Sequence, residues 1–292
     1  MNQPIITTKE YVAGHILPRT ADSHKGTYGT LLTLCGSYGM AGAALLCARG
    51  ALRSGVGLLR AAVPQSVYPL LVEAIPEAVF HAVAERDGCF SAAAIPAIDE
   101  ALATADAVVV GCGVGRGEEQ TALVRHILTH STVPVILDAD GINAVSPHIL
   151  AEETRSAPLI LTPHPGEMAR LLDVSTAEVQ ANRQMVACRL AREVGAVVVL
   201  KGHRTLIASP DGEAAENPTG NPGMATGGSG DVLAGIIGSL AAQGLAPYAA
   251  AVCGVYLHGA AGDVAAARHS EHGMLPTDLI EELGSLFLQF EK

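Results

Sequence analysis

The sequence predicts a doubly wound α/β fold, a mostly parallel sheet with helices on both faces, from three observations. Short β-type runs recur along the 292 residues with helical stretches between them. Most of these runs are apolar throughout, as Ala107-Val108-Val109-Val110 is, which implies burial on both faces of a sheet. The composition, 49% hydrophobic and 16% charged with 32 glycines and 3% aromatic residues, suits a large core, many short turns and Ala-rich helices packed closely on strands.

Taken in order, the runs fall at 30–34, 57–63, 107–110, 133–138, 159–162, 197–201 and 205–208. Stretches 41–54, 118–129, 176–194 and 229–243 carry apolar residues at spacings of three and four and read as amphipathic helices. Around 200–217, Ser209-Pro210-Asp211-Gly212 is a turn signal between two short strands, the one antiparallel piece expected. No repeat, low-complexity tract or linker divides the chain, so residues 1–292 read as one domain. In parallel sheets ligands collect beyond the carboxyl ends of strands, and the polar loops 36–42, 111–117, 138–143, 163–167 and 201–205 stand at those places.

The net charge of −11 argues against nucleic acid, whose backbone is bound by Lys and Arg displacing counterions. Small anionic ligands remain open, because backbone amides and a metal ion supply local positive potential. Six cysteines (Cys35, Cys47, Cys89, Cys112, Cys188, Cys253), with no C-x-x-C pair, read as buried reduced thiols of a cytoplasmic protein rather than zinc ligands or disulfides. Met1-Asn2-Gln3-Pro4 carries no signal-peptide pattern. The longest apolar stretch, 232–242, is short of the roughly 20 residues that cross a bilayer, so no membrane partner is expected.

The glycine-rich loop 217–231 ends Thr226-Gly227-Gly228-Ser229-Gly230-Asp231 before an apolar helix. Glycines let the backbone approach a ligand, and free N–H groups at a helix start attract an oxyanion or phosphate. An acid there has two readings. Asp231 is a helix cap worth about 0.3–1 kcal/mol against the macrodipole, or a base beside a bound phosphate, placed to take the proton of an attacking hydroxyl. Other templates fail. There is no G-x-x-x-x-G-K-[ST], and Arg60 and Arg116 stand where dinucleotide fingerprints starting at Gly55 and Gly111 need a small residue. Asp231 also replaces the last glycine of a nucleophile elbow at Ser229. Asp138-Ala139-Asp140-Gly141 superficially resembles a calcium loop, but its glycine comes too early and Ile149 replaces the late Glu.

Several blocks, in order, resemble the ADP-dependent NAD(P)H-hydrate dehydratases of the ribokinase-like superfamily: Ser23-His24-Lys25-Gly26, Gly36-Ser37-x-Gly39-Met40-x-Gly42-Ala43-Ala44, Asp138-Ala139-Asp140-Gly141-Ile142-Asn143, Thr162-Pro163-His164-Pro165-Gly166-Glu167, Lys201-Gly202-His203-Arg204-Thr205, the 217–231 loop, and Tyr256-Leu257-His258-Gly259-Ala260-Ala261-Gly262-Asp263. The resemblance spans nearly the whole chain. It implies a three-layer α/β/α fold and repair of the hydrated cofactors NADHX and NADPHX, with ADP (or ATP) as phosphoryl donor and Mg2+ as cofactor. Asp231 would be the catalytic base, and the amides of Gly228, Ser229 and Gly230 the anion hole. Ala43, Gly115, His164 and Asp231 would contact the hydrate; Lys201, Gly202, His203, Arg204, Thr205 and Gly230 would contact the nucleotide. It further implies a homotetramer and, since no epimerase segment is read in this chain, a separate NAD(P)HX epimerase working alongside.

From residues alone, Lys201 is a phosphate ligand or a solvated strand-end lysine, His164 a ligand contact or a structural loop histidine, and Glu167 a first-turn helix acid. Asp140 and Asn143 are candidates to position Mg2+ or water, and His258 reads as a buried, hydrogen-bonded histidine. Many family members have Pro where Cys112 stands. Two other readings remain beside the dehydratase: a ribokinase-like kinase of the hydroxyethylthiazole or pyridoxal type, and a nucleotide-binding regulator without turnover.

Overall fold

The computed structural model describes residues 3–16, 18–152 and 155–290; Met1 and Asn2, part of the N-terminal stretch read above, lie outside the described residues. Twelve strands are described: β1 (Ile5–Ile6), β2 (Thr30–Leu34), β3 (Leu58–Pro64), β4 (Val79–Val83), β5 (Glu85–Arg86), β6 (Cys89–Phe90), β7 (Ala107–Val110), β8 (Val135–Leu137), β9 (Leu159–Leu161), β10 (Val197–Leu200), β11 (Leu206–Ala208) and β12 (Ala214–Glu216). Ten of them form one sheet in the order β1-β12-β11-β10-β9-β8-β7-β2-β3-β4, and β5–β6 is a small separate ribbon. Strands β4 through β10 in that order are parallel. The expected hairpin is β11–β12, antiparallel with Leu206 opposite Glu216, and β11 is also antiparallel to β10.

The all-apolar strands follow from burial on both faces. Ala107 and Val109 of β7 face one core while Val108 and Val110 face the other. Leu31 and Leu32 of β2, and Val199 and Val198 of β10, divide in the same way. Each such side chain taken out of water contributes about 1.5–3 kcal/mol. One core is completed by helices Ala41–Arg53, Ser229–Ala242, Pro247–Gly273 and Pro276–Phe287, the other by helices Ile95–Leu102, Glu118–His130, Pro165–Leu172 and Arg183–Val194. The result is the three-layer, doubly wound α/β/α architecture expected. The chain runs from β2 outward to β4, then returns to the other side of β2 at β7, so the strand order reverses between β2 and β7. A crevice opens at such a reversal.

The structure departs from the sequence reading in β1 and the antiparallel ribbon β5–β6, which were unread, and in three larger features. Stretch 176–194 is two helices, Thr176–Ala181 and Arg183–Val194, because Asn182 leaves helical geometry (φ −132°, ψ 35°). Edge strand β4 went unread because its half-exposed residues show neither an apolar run nor a clean alternation. The longest apolar helix is Pro247–Gly273 rather than the 232–242 segment. It is long and apolar enough to cross a bilayer by length and composition, yet 67% of its most apolar stretch is buried inside the fold.

Helix Ser229–Ala242 buries twelve of its fourteen residues and has no solvent face. It lies so close to helix Ala41–Arg53 that a Cβ on Gly235 would sit 2.0 Å from the Cys47 carbonyl oxygen. Both sides of that contact are backbone, so neither can turn aside. Gly235→Ala should therefore destabilise the protein by about 3 kcal/mol. Gly284→Ala, at an exposed helical position with nothing within 4 Å, should instead be neutral or gain up to about 1 kcal/mol. Denaturant midpoints of the two variants check this; equal midpoints would contradict the close packing.

Candidate active site

Beyond the carboxyl ends of β8, β9 and β10 lies a cavity of about 900 Å3. Its wall is made by Asp138 and Ala139 after β8, His164 and Glu167 after β9, residues 201–205 after β10, the 217–231 loop, and His258 and Gly259 of the long C-terminal helix. Every predicted site residue except Ala43, Gly115, Asp140 and Asn143 lines it.

Asp231 is not the helix cap. The N-cap is Gly228, in the left-handed region (φ 98°, ψ −19°), and no side chain caps the helix. A Cβ at Gly228 would also meet the Leu46 side chain at 2.4 Å. The turn thus leaves the first amides of the helix facing the cavity without a side-chain partner, the arrangement that receives an anion. Asp231 sits in the first turn, three residues inside the cap. Burial first, and then the charge of Asp138, push its carboxyl up to about 7.

Asp138 is the residue the sequence reading passed over. It is 1% exposed, and its Oδ1 accepts from Lys201 Nζ at 2.6 Å and from Thr162 Oγ1 at 2.7 Å. Burial works against the Lys201 ammonium, but Asp138 and then Glu167 outweigh it and hold its pKa above the ordinary value. Lys201 is therefore no solvated strand-end lysine. Its Nζ lies 3.3 Å from where a Cβ on Gly230 would be, so the ammonium reaches the helix start where an anion would bind. The sequence signal for Asp138 was its place as first residue after an apolar strand; the structure adds that Ala139 beside it has φ 48°, a backbone strain found at functional sites.

The remaining predicted residues divide. Thr205 Oγ1 donates to Gly202 O at 2.9 Å and Arg204 pairs with Glu216, so loop 201–205 is held open along the cavity. Arg183, unread in the sequence, donates to the carbonyls of Leu200 (2.9 Å) and Lys201 (3.3 Å) and fixes the end of β10. His164 is both wall and cap: its Nδ1 accepts from Gly166 N and Glu167 N, while Glu167 Oε2 accepts from His164 N at 2.8 Å. The first-turn role read for Glu167 is the one observed. Neutral His258 donates from Nε2 to Ser229 O at 2.9 Å, and burial lowers its pKa to about 4. Asp263 anchors the glycine-rich loop by accepting from Gly220 N (2.9 Å) and Asn221 Nδ2 (3.1 Å).

Ala43 lies across the crevice beside Gly113, and Gly115 lines a neighbouring depression of about 490 Å3. Asp140, read as a possible metal-positioning group, is tied to that second loop by Gly115 N (3.2 Å) and Arg116 Nε (3.0 Å); Asn143 Nδ2 is 3.4 Å from it. A metal has a different place available. One oxygen each of Asp138 and Asp231 and the Cys112 thiol lie within 4.8 Å of one another. The two carboxylates suit a hard cation such as Mg2+, which prefers oxygen and keeps part of its coordination for water and phosphate; the thiol does not.

The sequence signature of NAD(P)H-hydrate dehydratase matches residues 31–284. An ADP-dependent (S)-NAD(P)H-hydrate dehydratase of Bacillus subtilis is 41% identical over the full length of both chains. The crystal structure of ADP/ATP-dependent NAD(P)H-hydrate dehydratase from that organism, co-crystallised with ATP/Mg2+, aligns over 100% of both chains with a TM-score of 0.86 and 40% identity. A ribokinase-like superfamily protein of Enterococcus faecalis V583 aligns over 98% of this chain and 96% of its own, with a TM-score of 0.83 and 26% identity, and the fold is ribokinase-like. A bifunctional NAD(P)H-hydrate repair enzyme of Moorella thermoacetica is 43% identical over 98% of this chain. The chain spans about half the length of such bifunctional relatives, 54% in that case.

The raised carboxyl of Asp231 has a consequence for stability. Folding holds its proton up to about pH 7, whereas the unfolded chain releases it near the ordinary value of 3.8. Stability from this group is therefore full below 3.8 and is lost as pH rises through about 7. Asp231→Asn removes that loss. Its melting temperature should exceed that of the parent, by a margin that grows between those two pH values and then levels off; a margin independent of pH would refute the assignment.

Proposed function

The chain belongs to the NAD(P)H-hydrate dehydratase family, and from that premise we propose that it converts (6S)-NADHX and NADPHX back to NADH and NADPH at the expense of ADP, giving AMP and phosphate. The observation that carries the reading is Asp231, a buried carboxyl raised to about 7 in the first turn of an uncapped helix, facing Lys201 across Gly230.

Phosphoryl transfer asks a protein for position, charge neutralisation and a weak base. Asp231 takes the proton of the C6 hydroxyl as its oxygen attacks the terminal phosphorus of the nucleotide. The bond from phosphorus to the bridging oxygen breaks and AMP leaves. The amides at Gly228, Ser229 and Gly230 hold the equatorial oxygens, and Lys201, kept charged by Asp138, faces the same place. Loss of phosphate from C6, with a proton from the neighbouring carbon, restores the dihydronicotinamide. Mg2+ would be held at the Asp138 carboxylate together with the nucleotide phosphates, leaving Asp231 free as base, and would supply charge neutralisation. Residues 201–205 form the nucleotide side of the cavity, His164 faces the hydrate, and Ala43 and Gly115 extend the hydrate site toward the crevice.

The wider assignments are part of the same proposal. Ten strands, with β1 and β12 among them, share one sheet and the C-terminal helices cover one of its faces, which supports a single domain. Six free thiols support a cytoplasmic setting. Tyr68, Leu70 and Val79 stand exposed at the β4 edge, which supports self-association as a homotetramer. A separate NAD(P)HX epimerase would supply the S form.

Incubation of the protein with NADHX, Mg2+ and either ADP or ATP should restore dihydronicotinamide absorbance; no recovery with either nucleotide would sink the proposal, and a stable phosphate ester of a thiazole or pyridoxal substrate would move the chain to the kinases. Turnover should rise with pH through about 7 and then level off, since only ionised Asp231 accepts a proton. Asp231→Asn should lower kcat by at least about a hundredfold while nucleotide affinity, read by calorimetry, holds.

A further inference from the structure

The six cysteines, scattered in sequence, do not remain scattered. Cys35 follows β2, Cys47 lies midway along helix Ala41–Arg53, and Cys112 follows β7. Their three sulfurs lie within 4.8 Å of one another, at 1%, 0% and 0% exposure. A single buried cysteine packs as a small apolar side chain and asks for nothing more. Cys188 and Cys253 are of that kind, buried and outside any such cluster among the described residues. Three thiols converging from three separate elements are different, because sulfurs at these separations form a soft donor set. Zn–S bonds of about 2.3 Å require sulfurs about 3.8 Å apart in a tetrahedron, so the trio needs to contract by no more than about 1 Å.

We propose that Cys35, Cys47 and Cys112 form a binding site for one thiophilic d10 cation of the Zn2+ and Cd2+ class. The site is distinct in chemistry from the oxygen-lined place for Mg2+, because thiolates select soft cations and carboxylates hard ones. It is also within reach of solvent. Cys112 donates to Asp138 Oδ2 at 3.8 Å and lies within 4.8 Å of an Asp231 oxygen, and both carboxylates line the cavity. A cation entering there passes the carboxylates before it meets sulfur. On binding, the three thiols release three protons to solvent and give one cation with three thiolates, net charge −1, beside the Lys201 ammonium. The Asp231 carboxylate, within 4.8 Å of the Cys112 sulfur but outside the three-thiol cluster, would have to move toward the other two sulfurs to close the fourth position. A cation held that way would occupy the group that the dehydratase reading uses as base, so Zn2+ would inhibit turnover; this consequence, unlike the site itself, rests on that reading.

Chelator-treated, reduced protein titrated with Cd2+ should develop ultraviolet sulfur-to-cadmium charge-transfer absorption that saturates at one equivalent, with about three protons released per cation. Cys47→Ala and Cys35→Ala, with melting temperatures measured in chelator to confirm folding, should lose the absorption, and Cys188→Ala should keep it. No absorption in the parent protein, or absorption that survives in both cluster variants, would overturn the site. A disulfide between two of the three in protein handled without reductant, together with no Cd2+ uptake after reduction, would overturn it in favour of a redox pair. In the dehydratase assay, Zn2+ should inhibit the parent at concentrations more than about tenfold below those that inhibit Cys47→Ala, since even outer partners of a metal cost 10–100-fold in affinity. Absence of turnover in both proteins would count against the proposed function and leave the Cd2+ result to decide the site.

Discussion

The backbone contact between helices Ser229–Ala242 and Ala41–Arg53 is the constraint on which the site depends. At Gly235 helix Ser229–Ala242 touches the Cys47 carbonyl with no room for a methyl group, which fixes how far that helix can slide along its neighbour. Its first turn carries Asp231 and the uncapped amides, so a contact one turn further along sets where the proposed base and anion would meet. With twelve of fourteen residues buried, this helix has no polar face to trade for a different position. Carboxyl, amides and ammonium are thus presented on a rigid core element, which suits a reaction in which placement does most of the work.

Electrostatics then separates two carboxyls that lie within 4.8 Å of each other. Asp138 takes the Lys201 ammonium at 2.6 Å and a hydroxyl from Thr162. Asp231 is left with burial and a like charge beside it, and its proton affinity rises to a value useful near neutral pH. Lys201 serves both sides of this arrangement. It neutralises Asp138 and, from the same position, faces the place where an anion would sit at Gly230. Removing it would leave a 1%-exposed carboxylate without its ammonium, a change whose cost would fall on folding as well as chemistry.

Much of this was legible in the chain. Strands apolar throughout announced a sheet covered on both faces, the turn at 209–212 announced the hairpin, and the order of the glycine-rich and polar loops announced the family. Those features are local: each depends on residues near one another in sequence. The edge strand β4 and the break at Asn182 were hidden because an exposed edge loses the apolar signal and a single non-helical residue leaves the three-and-four spacing intact. Sequence also left Asp231 open between cap and base. The structure removes one of the two by placing the cap at Gly228, which leaves the carboxyl of Asp231 free for the proposed role as base.

By itself, then, the sequence determined the α/β class, the location of the glycine-rich loop and the residue types in it, because periodicity and turn chemistry are written in short stretches. Tertiary structure alone decided which of those groups meet. Asp138 and Lys201 are 63 residues apart, and Cys112 and Asp138 are 26 apart. They come together because parallel strands deliver all their carboxyl ends to one edge of the sheet. Reversal of the strand order between β2 and β7 does the same for Cys35 and Cys112. Three scattered thiols of the chain become a cluster beside the Asp138 and Asp231 carboxyls through pairing of strands, a long-range choice that no local pattern records.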